Sequence, residues 1–188
     1  MLKSLKTKKK NLMAKQKEQQ KKVDALNKQI EEMIAKQVRT TTTLTKEQQL
    51  IAGGFEANQG RLPWPVEKGY ISGYFGKHQH PIHEHVTIDN KGIYLQTVSG
   101  ADARAIYEGE VTWCAPMNGN YAVIVQHGNY RSVYSPLKKI YVKQGDKLTA
   151  KQAIGEIYTN TSEDNKTELY FQIYKDRSIL NPGLWLAQ

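Results

Sequence analysis

The first 52 residues contain neither glycine nor proline, whereas all 14 glycines and all six prolines fall in the remainder of the 188-residue chain. Glycine and proline stop helices and permit turns, so their segregation divides the chain into a helical part and a turn-rich part. Set as heptads, the a positions of the first part are Leu2, Lys9, Gln16, Val23, Ile30 and Gln37. The d positions are Leu5, Leu12, Gln19, Leu26, Met33 and Thr40. Seven of these twelve are apolar, which predicts an amphipathic helix with a narrow coiled-coil seam over residues 1–40. Polar Lys9, Gln16 and Gln19 weaken the seam, so the helix needs a partner. Residues 1–11 read equally well as a solvated lysine-rich tail, and the helical signal is strongest from Val23 to Val38. The run Thr40 to Thr43 interrupts it, because β-branched threonine is a poor helix former. A second, short helix is expected from Leu44 to Ala52, ended by Gly53-Gly54.

The net charge of +9 belongs to the first part. Residues 1–40 hold eleven lysines and Arg39 against Glu18, Asp24, Glu31 and Glu32, a net of +8. The other 148 residues carry 15 basic and 14 acidic groups, so a basic groove for nucleic acid on the globular part is not expected. One cysteine, Cys114, rules out an intramolecular disulfide and a Cys-rich zinc module. No run approaches the roughly 20 apolar residues that cross a bilayer. The basic start MLKSLKTKKK has no apolar stretch behind it, so no signal peptide is visible. That leaves an internal protein or a fragment of a longer exported one.

Composition changes at Arg61-Leu62-Pro63-Trp64-Pro65-Val66, and short β-rich runs then alternate with turn signals. Strands are expected over 71–75, 86–89, 93–96, 103–107, 110–115, 121–127, 130–135, 153–158 and 168–175. Asn118-Gly119-Asn120 and Gly128-Asn129 read as tight hairpin turns. The fold class is therefore mainly β, a compact antiparallel β domain preceded by an α-helical coiled-coil segment. Its expected divisions are a helical arm at 1–40, a linker with a short helix at 41–60, and a β domain at 61–188.

Few residues suggest chemistry. Gly53-Gly54-Phe55 to Gly60 does not match a phosphate-binding loop, and no serine sits in a G-x-S-x-G elbow. Cys114, in the strand EVTWCAP, reads as a small core residue. Four of the five histidines cluster as His78, His80, His83 and His85, with Glu84 beside them. An H-x-H pair on one strand face is sound zinc geometry, but Pro81 breaks a regular strand and Gly73, Gly76 and Lys77 suggest a loop. A Gly-Asp-Lys-Leu turn around Lys147 is shared by several β folds, including lipoyl- and biotinyl-type carriers, yet lacks the exposed lysine-bearing hairpin tip that a carrier needs.

From about Phe55 onward the chain resembles the lysostaphin-type (LytM) zinc peptidase fold, also called the duplicated-hybrid-motif fold, and within it murein hydrolase activators of the EnvC type. The resemblance rests on N-x-G-R-L-P-W-P-V (Asn58–Val66), G-Y-F-G (Gly73–Gly76) and N-K-G-I-Y (Asn90–Tyr94). It continues through V-I-V-Q-H-G (Val123–Gly128), V-Y-S-P-L (Val133–Leu137) and V-K-Q-G-D-K-L (Val142–Leu148). It closes with E-L-Y-F-Q-I (Glu168–Ile173) and N-P-G-L-W-L (Asn181–Leu186). Active members hold zinc with an H-x-x-x-D pair and the second His of an H-x-H. The first His of that H-x-H and a His in Y-x-H-L serve catalysis. Here those five places hold Asn90, Tyr94, Glu168, Tyr170 and Pro136.

The resemblance therefore implies a pseudoenzyme: no catalytic residue, no metal site and no zinc cofactor. It implies a partner-binding cleft of Asn90, Tyr94, Tyr134, Glu168 and Tyr170 that engages a peptidoglycan amidase. It also implies a coiled coil that docks on an FtsEX-like division transporter, and a periplasmic or otherwise exported location. Leu44, Leu50, Ile51 and Phe55 are the candidates for a restraining segment over the cleft. Family activators carry a longer coiled coil and an export signal, so this chain reads as a fragment. The alternative is an active LytM-type zinc endopeptidase that uses a relocated site at His78, His80, His83 and His85. His127, in V-Q-H-G, is expected to be a turn or hydrogen-bonding residue.

Overall fold

The computed structural model describes residues 1–41, 43–80 and 84–188. They form two units, Met1–Thr40 and Thr41–Gln188. The first is a single helix, α1 (Leu2–Thr40). It stops where the threonine run begins, as the β-branched side chains predict.

The second unit opens with α2 (Lys46–Ala57). Thr45 caps it: its hydroxyl accepts from the Gln48 N–H while the Gln48 side chain accepts from the Thr45 N–H, a reciprocal capping box. Gly53-Gly54 does not end this helix, contrary to the expectation from sequence. A glycine pair costs about 1–2 kcal/mol in a helix interior, which full burial of Phe55 one residue further on offsets. Gly54 lies against the Tyr107 hydroxyl, which a Cβ there would have to displace.

The strands that follow are β1 (Tyr70–Gly73), β2 (Gly76–Gln79), β3 (Thr87–Asn90), β4 (Ile93–Thr97), β5 (Asp102–Arg104) and β6 (Gly109–Met117). Then come β7 (Asn120–His127), β8 (Tyr130–Ile140), β9 (Lys147–Leu148) and β10 (Ala153–Ile157). The last are β11 (Thr159–Asn160), β12 (Lys166–Lys175) and β13 (Ser178–Leu180), before a 3-10 turn at Pro182–Leu184. Pairing is antiparallel throughout these strands, in the order β1-β4-β12-β8-β7-β6-β9. β10 joins β5 to β8, and β11 and β13 flank β12. β2 and β3 form a separate hairpin, so the expected loop at His78 is a strand. The hairpin turns fall where sequence places them, with Asn118 and Gly119 both at positive φ between β6 and β7.

Alternation along the strands builds the core. Leu169, Phe171 and Ile173 of β12, Ile93 and Leu95 of β4, and Tyr130, Tyr134 and Leu137 of β8 point to one side. Phe55 joins this core, stacked on Tyr130 at 4.7 Å and on His127 at 5.0 Å. The segment after α2 is tied to the chain's last turn. Gly60 N–H and Leu62 N–H donate to the Trp185 carbonyl, Ala187 N–H donates to the Leu62 carbonyl, and Trp64 Nε1–H donates to the Ala187 carbonyl.

Candidate functional site

The opposite face of the sheet carries three of the residues at the five family places, Tyr94, Glu168 and Tyr170, while Asn90 lies on the separate β2–β3 hairpin and Pro136 in the irregular span of β8. In register, Tyr170 of β12 pairs with Tyr94 of β4 on one side and Ser135 of β8 on the other. One step along, Glu168 pairs with Gln96, which pairs in turn with Tyr70. Period-two alternation thus collects Tyr70, Tyr94, Ser135, Glu168 and Tyr170 on one surface.

Tyr94 and Tyr170 are stacked, their ring centroids 4.7 Å apart and their planes inclined by 28°. Tyr94 lies against Gly73, where a Cβ would come within 2.7 Å of its ring. Tyr170 is buried and Tyr94 half-buried. Glu168 accepts a hydrogen bond of 2.6 Å from the Ser72 hydroxyl and pairs with Lys166 Nζ at 3.5 Å. Asn90 closes β3 and donates through Nδ2 to the Tyr74 carbonyl at 2.9 Å. Among the described residues, the buried Ser135 Oγ has no hydrogen-bond partner.

This donor set does not fit a zinc ion. Tetrahedral zinc takes imidazole, thiolate or carboxylate ligands. Here the amide nitrogen of Asn90 is spent on a carbonyl, two neutral phenols are stacked on each other, and the lone carboxylate is held by a serine and a lysine. Pro136, at the place of the family's Y-x-H-L histidine, has no side-chain group that transfers a proton. The surface can instead offer the half-buried Tyr94 ring and a carboxylate rim to a partner.

Tyr134 does not belong to this surface, contrary to the expectation from sequence. It is buried in the core, where its hydroxyl accepts from the Ile106 N–H at 3.2 Å and lies 3.0 Å from Ser132 Oγ. The reason is plain alternation: Tyr134 has the parity of Tyr130 and pairs in register with core Phe171, and the register shift against β7 lies just beyond it. Tyr134 and Leu137 both face the core, so Ser135 and Pro136 together occupy the span between them and alternation is lost.

The four candidates for a restraining segment do not share one face. Leu50 is 78% exposed, Leu44 and Ile51 are half-buried, and Phe55 lies in the core. α2 seats at the Gly128 end of the β7–β8 hairpin, where a Cβ on Gly128 would collide with Ala52. That end is five residues along β8 from Ser135, about 16 Å by strand rise. The rings around Phe55 are Tyr107, His127, Tyr130 and Trp185, none of them at the five places.

Of the histidine cluster, His78 and His80 are half-buried at β2 and just beyond it, and His85 is exposed in the turn before β3. His78 Nδ1 lies 3.2 Å from the Gly76 carbonyl. His83 and Pro81 lie outside the described residues. Among the described residues, no three His, Cys, Asp or Glu side chains converge as a metal site would require. Cys114 is half-buried on β6 and packs against the core.

His127 is hydrogen-bonded within the fold. Its Nδ1 lies 2.7 Å from the Glu108 carbonyl and its Nε2 lies 2.7 Å from Ser132 Oγ. A carbonyl only accepts, so Nδ1 carries the proton and Nε2 accepts from the serine. Burial holds its pKa down at about 4, against the opposing effect of the Glu108 carbonyl. This is the contact of an activated serine, but both residues are wholly buried and no substrate reaches them.

Residues 88–182, just over half of the chain, match the profile of Peptidase family M23, and the chain belongs to that family. It is 37% identical over 99 residues to the stage II sporulation protein Q of Bacillus subtilis, covering 50% of this chain and 35% of that protein. It is 34% identical over 98 residues to an uncharacterized protein of Haemophilus influenzae, covering 51% of this chain and 24% of the relative. These alignments span only about a quarter to a third of the relatives' own length. Among solved structures, a chain of the SpoIIQ–SpoIIIAH pore-forming complex superposes with a TM-score of 0.57 at 25% identity, over 69% of this chain and 92% of that one.

Proposed function

We propose that this chain is a non-catalytic activator of peptidoglycan amidases, of the EnvC type, and that it engages the amidase through the Tyr94–Tyr170 surface. The observation that carries this reading is the coordinated replacement at the five family places. The metal and proton-transfer groups are gone, and stacked tyrosines, a tied amide and a rim carboxylate stand there instead. The half-buried Tyr94 ring, stacked on the buried Tyr170, forms the kind of amphipathic surface that interface hot spots favour. The match to a chain solved in complex with SpoIIIAH supports a protein partner for this fold. On this reading the protein works outside the cytoplasm, and α1 belongs to a coiled coil that docks on a division transporter of the FtsEX type.

The test is an amidase assay on purified peptidoglycan. The chain alone releases no fragments, and adding it to a division amidase raises the amidase rate at least tenfold. Tyr94→Ser removes that stimulation while leaving the thermal midpoint within a few degrees. Fragment release by the chain alone, abolished by a chelator, would transfer the assignment to a zinc endopeptidase using the histidine cluster.

A further inference from the structure

The basic charge of the chain is confined more tightly than the α1 boundaries indicate. Residues 1–22 hold nine lysines against Glu18 alone, a net of +8, whereas residues 23–40 are balanced. Within the same stretch Leu2, Leu5, Leu12 and Met13 are 77%, 63%, 59% and 46% exposed. At about 100° per residue these four side chains fall within roughly one 100° arc of the helix. Lys8 and Lys15 border that arc on one side, Lys6 and Lys17 on the other, Lys9 and Gln16 lie within it, and Glu18 lies nearly opposite its centre.

We propose that residues 1–22 of α1 form a docking surface for an anionic phospholipid bilayer, lying in the headgroup plane with Leu2, Leu5, Leu12 and Met13 inserted. Two independent features of the segment point to this occupant. A stripe of exposed apolar side chains flanked on both sides by lysines matches a surface that is apolar at depth and negatively charged at its rim. Long lysine side chains can keep their ammonium groups at that rim while their stems cross apolar surface. A second copy is a poorer fit, because it brings another +8, and because Lys9 within the stripe can extend its ammonium to a headgroup but not into an apolar helix seam. A polyanion such as nucleic acid satisfies the lysines and leaves the leucines unused. The segment lies on the surface and does not cross it, since no helix among the described residues is long and apolar enough to span a membrane.

The experiment is co-sedimentation of the full chain with large unilamellar vesicles, of phosphatidylglycerol and phosphatidylcholine in equal parts or of phosphatidylcholine alone. Binding is expected to the mixed vesicles, at least tenfold weaker to the neutral ones, and to fall at least tenfold in 0.5 M salt. The triple variant Leu5→Gln, Leu12→Gln, Met13→Gln keeps every charge and is expected to lose at least tenfold. Lys8→Gln, Lys9→Gln, Lys10→Gln together is expected to lose as much at low salt. Thermal midpoints of the β unit check that both variants remain folded. Failure to bind the mixed vesicles at low salt would overturn the proposal. So would undiminished binding by the glutamine triple variant, which would make the segment a plain polycation. Equal binding to polyglutamate or to duplex DNA would overturn it too. None of these outcomes depends on amidase stimulation.

Discussion

The Phe55 cluster and the Tyr94–Tyr170 pair are both stacked aromatic rings on the same sheet, and they differ in what surrounds them. Around Phe55, four rings close on one another and the imidazole of His127 has both nitrogens engaged. Around Tyr94 and Tyr170, one ring is half-exposed, the neighbouring Ser135 hydroxyl has no partner among the described residues, and Glu168 sits at the rim. The first arrangement is optimised for the folded chain alone. The second leaves one buried hydroxyl without a partner among the described residues and one ring partly open to solvent, the kind of local departure from the stability optimum found at functional surfaces.

The sharpest way to break that comparison is to truncate Phe55. Phe55→Ala should cost about 3–5 kcal/mol, read as a lowered denaturation midpoint, because a fully buried ring leaves a cavity. A loss under about 1 kcal/mol would mean that α2 is not part of the core.

His127 sharpens it through pH. The unfolded imidazole takes up a proton near its ordinary pKa of 6.5 and the folded one only near 4, so the neutral form holds the fold together. Stability is complete above pH 6.5 and falls as pH drops toward 4, by about 2 kcal/mol between pH 7 and pH 5. Denaturant titrations at those two values should show this fall, and His127→Gln should flatten it.

On the other cluster the effects are smaller. A double-mutant cycle on Tyr94→Ala and Tyr170→Ala should give a coupling of about 1 kcal/mol, the size of a stacked pair. Ser135→Ala should be neutral or stabilising by up to about 1 kcal/mol, since it removes a buried hydroxyl without a partner. A clear loss of stability on Ser135→Ala would show that the hydroxyl is satisfied within the free chain.

Much of this was legible in the residues. The glycine- and proline-free start marked α1, and the Asn118-Gly119 and Gly128-Asn129 turns marked the hairpins. The resemblance put Tyr94, Glu168 and Tyr170 in one cleft, and the strand register sets the three on one surface. What was hidden depended on contacts distant in sequence. Nothing near Gly53-Gly54 announces that Phe55 stacks on Tyr130, 75 positions later, and holds the helix through both glycines. Tyr134 faces inward because it pairs with core Phe171, a long-range register that the residues around Tyr134 do not announce. The hairpin strand at His78 was masked by its flanking glycines, of which Gly76 pairs in register with Asn90.

The clasp between the segment after α2 and the chain's last residues has a mechanical consequence. Tension applied along the backbone from the α1 side meets the Thr45 cap, then Phe55, and then the parallel Leu62–Leu186 bridge with its flanking hydrogen bonds. Those hydrogen bonds join the two ends of the β unit to each other. A load arriving at residue 41 is therefore taken up by the clasp and Phe55, at positions that precede every strand of the sheet in the chain, and the Tyr94–Tyr170 surface is shielded from it.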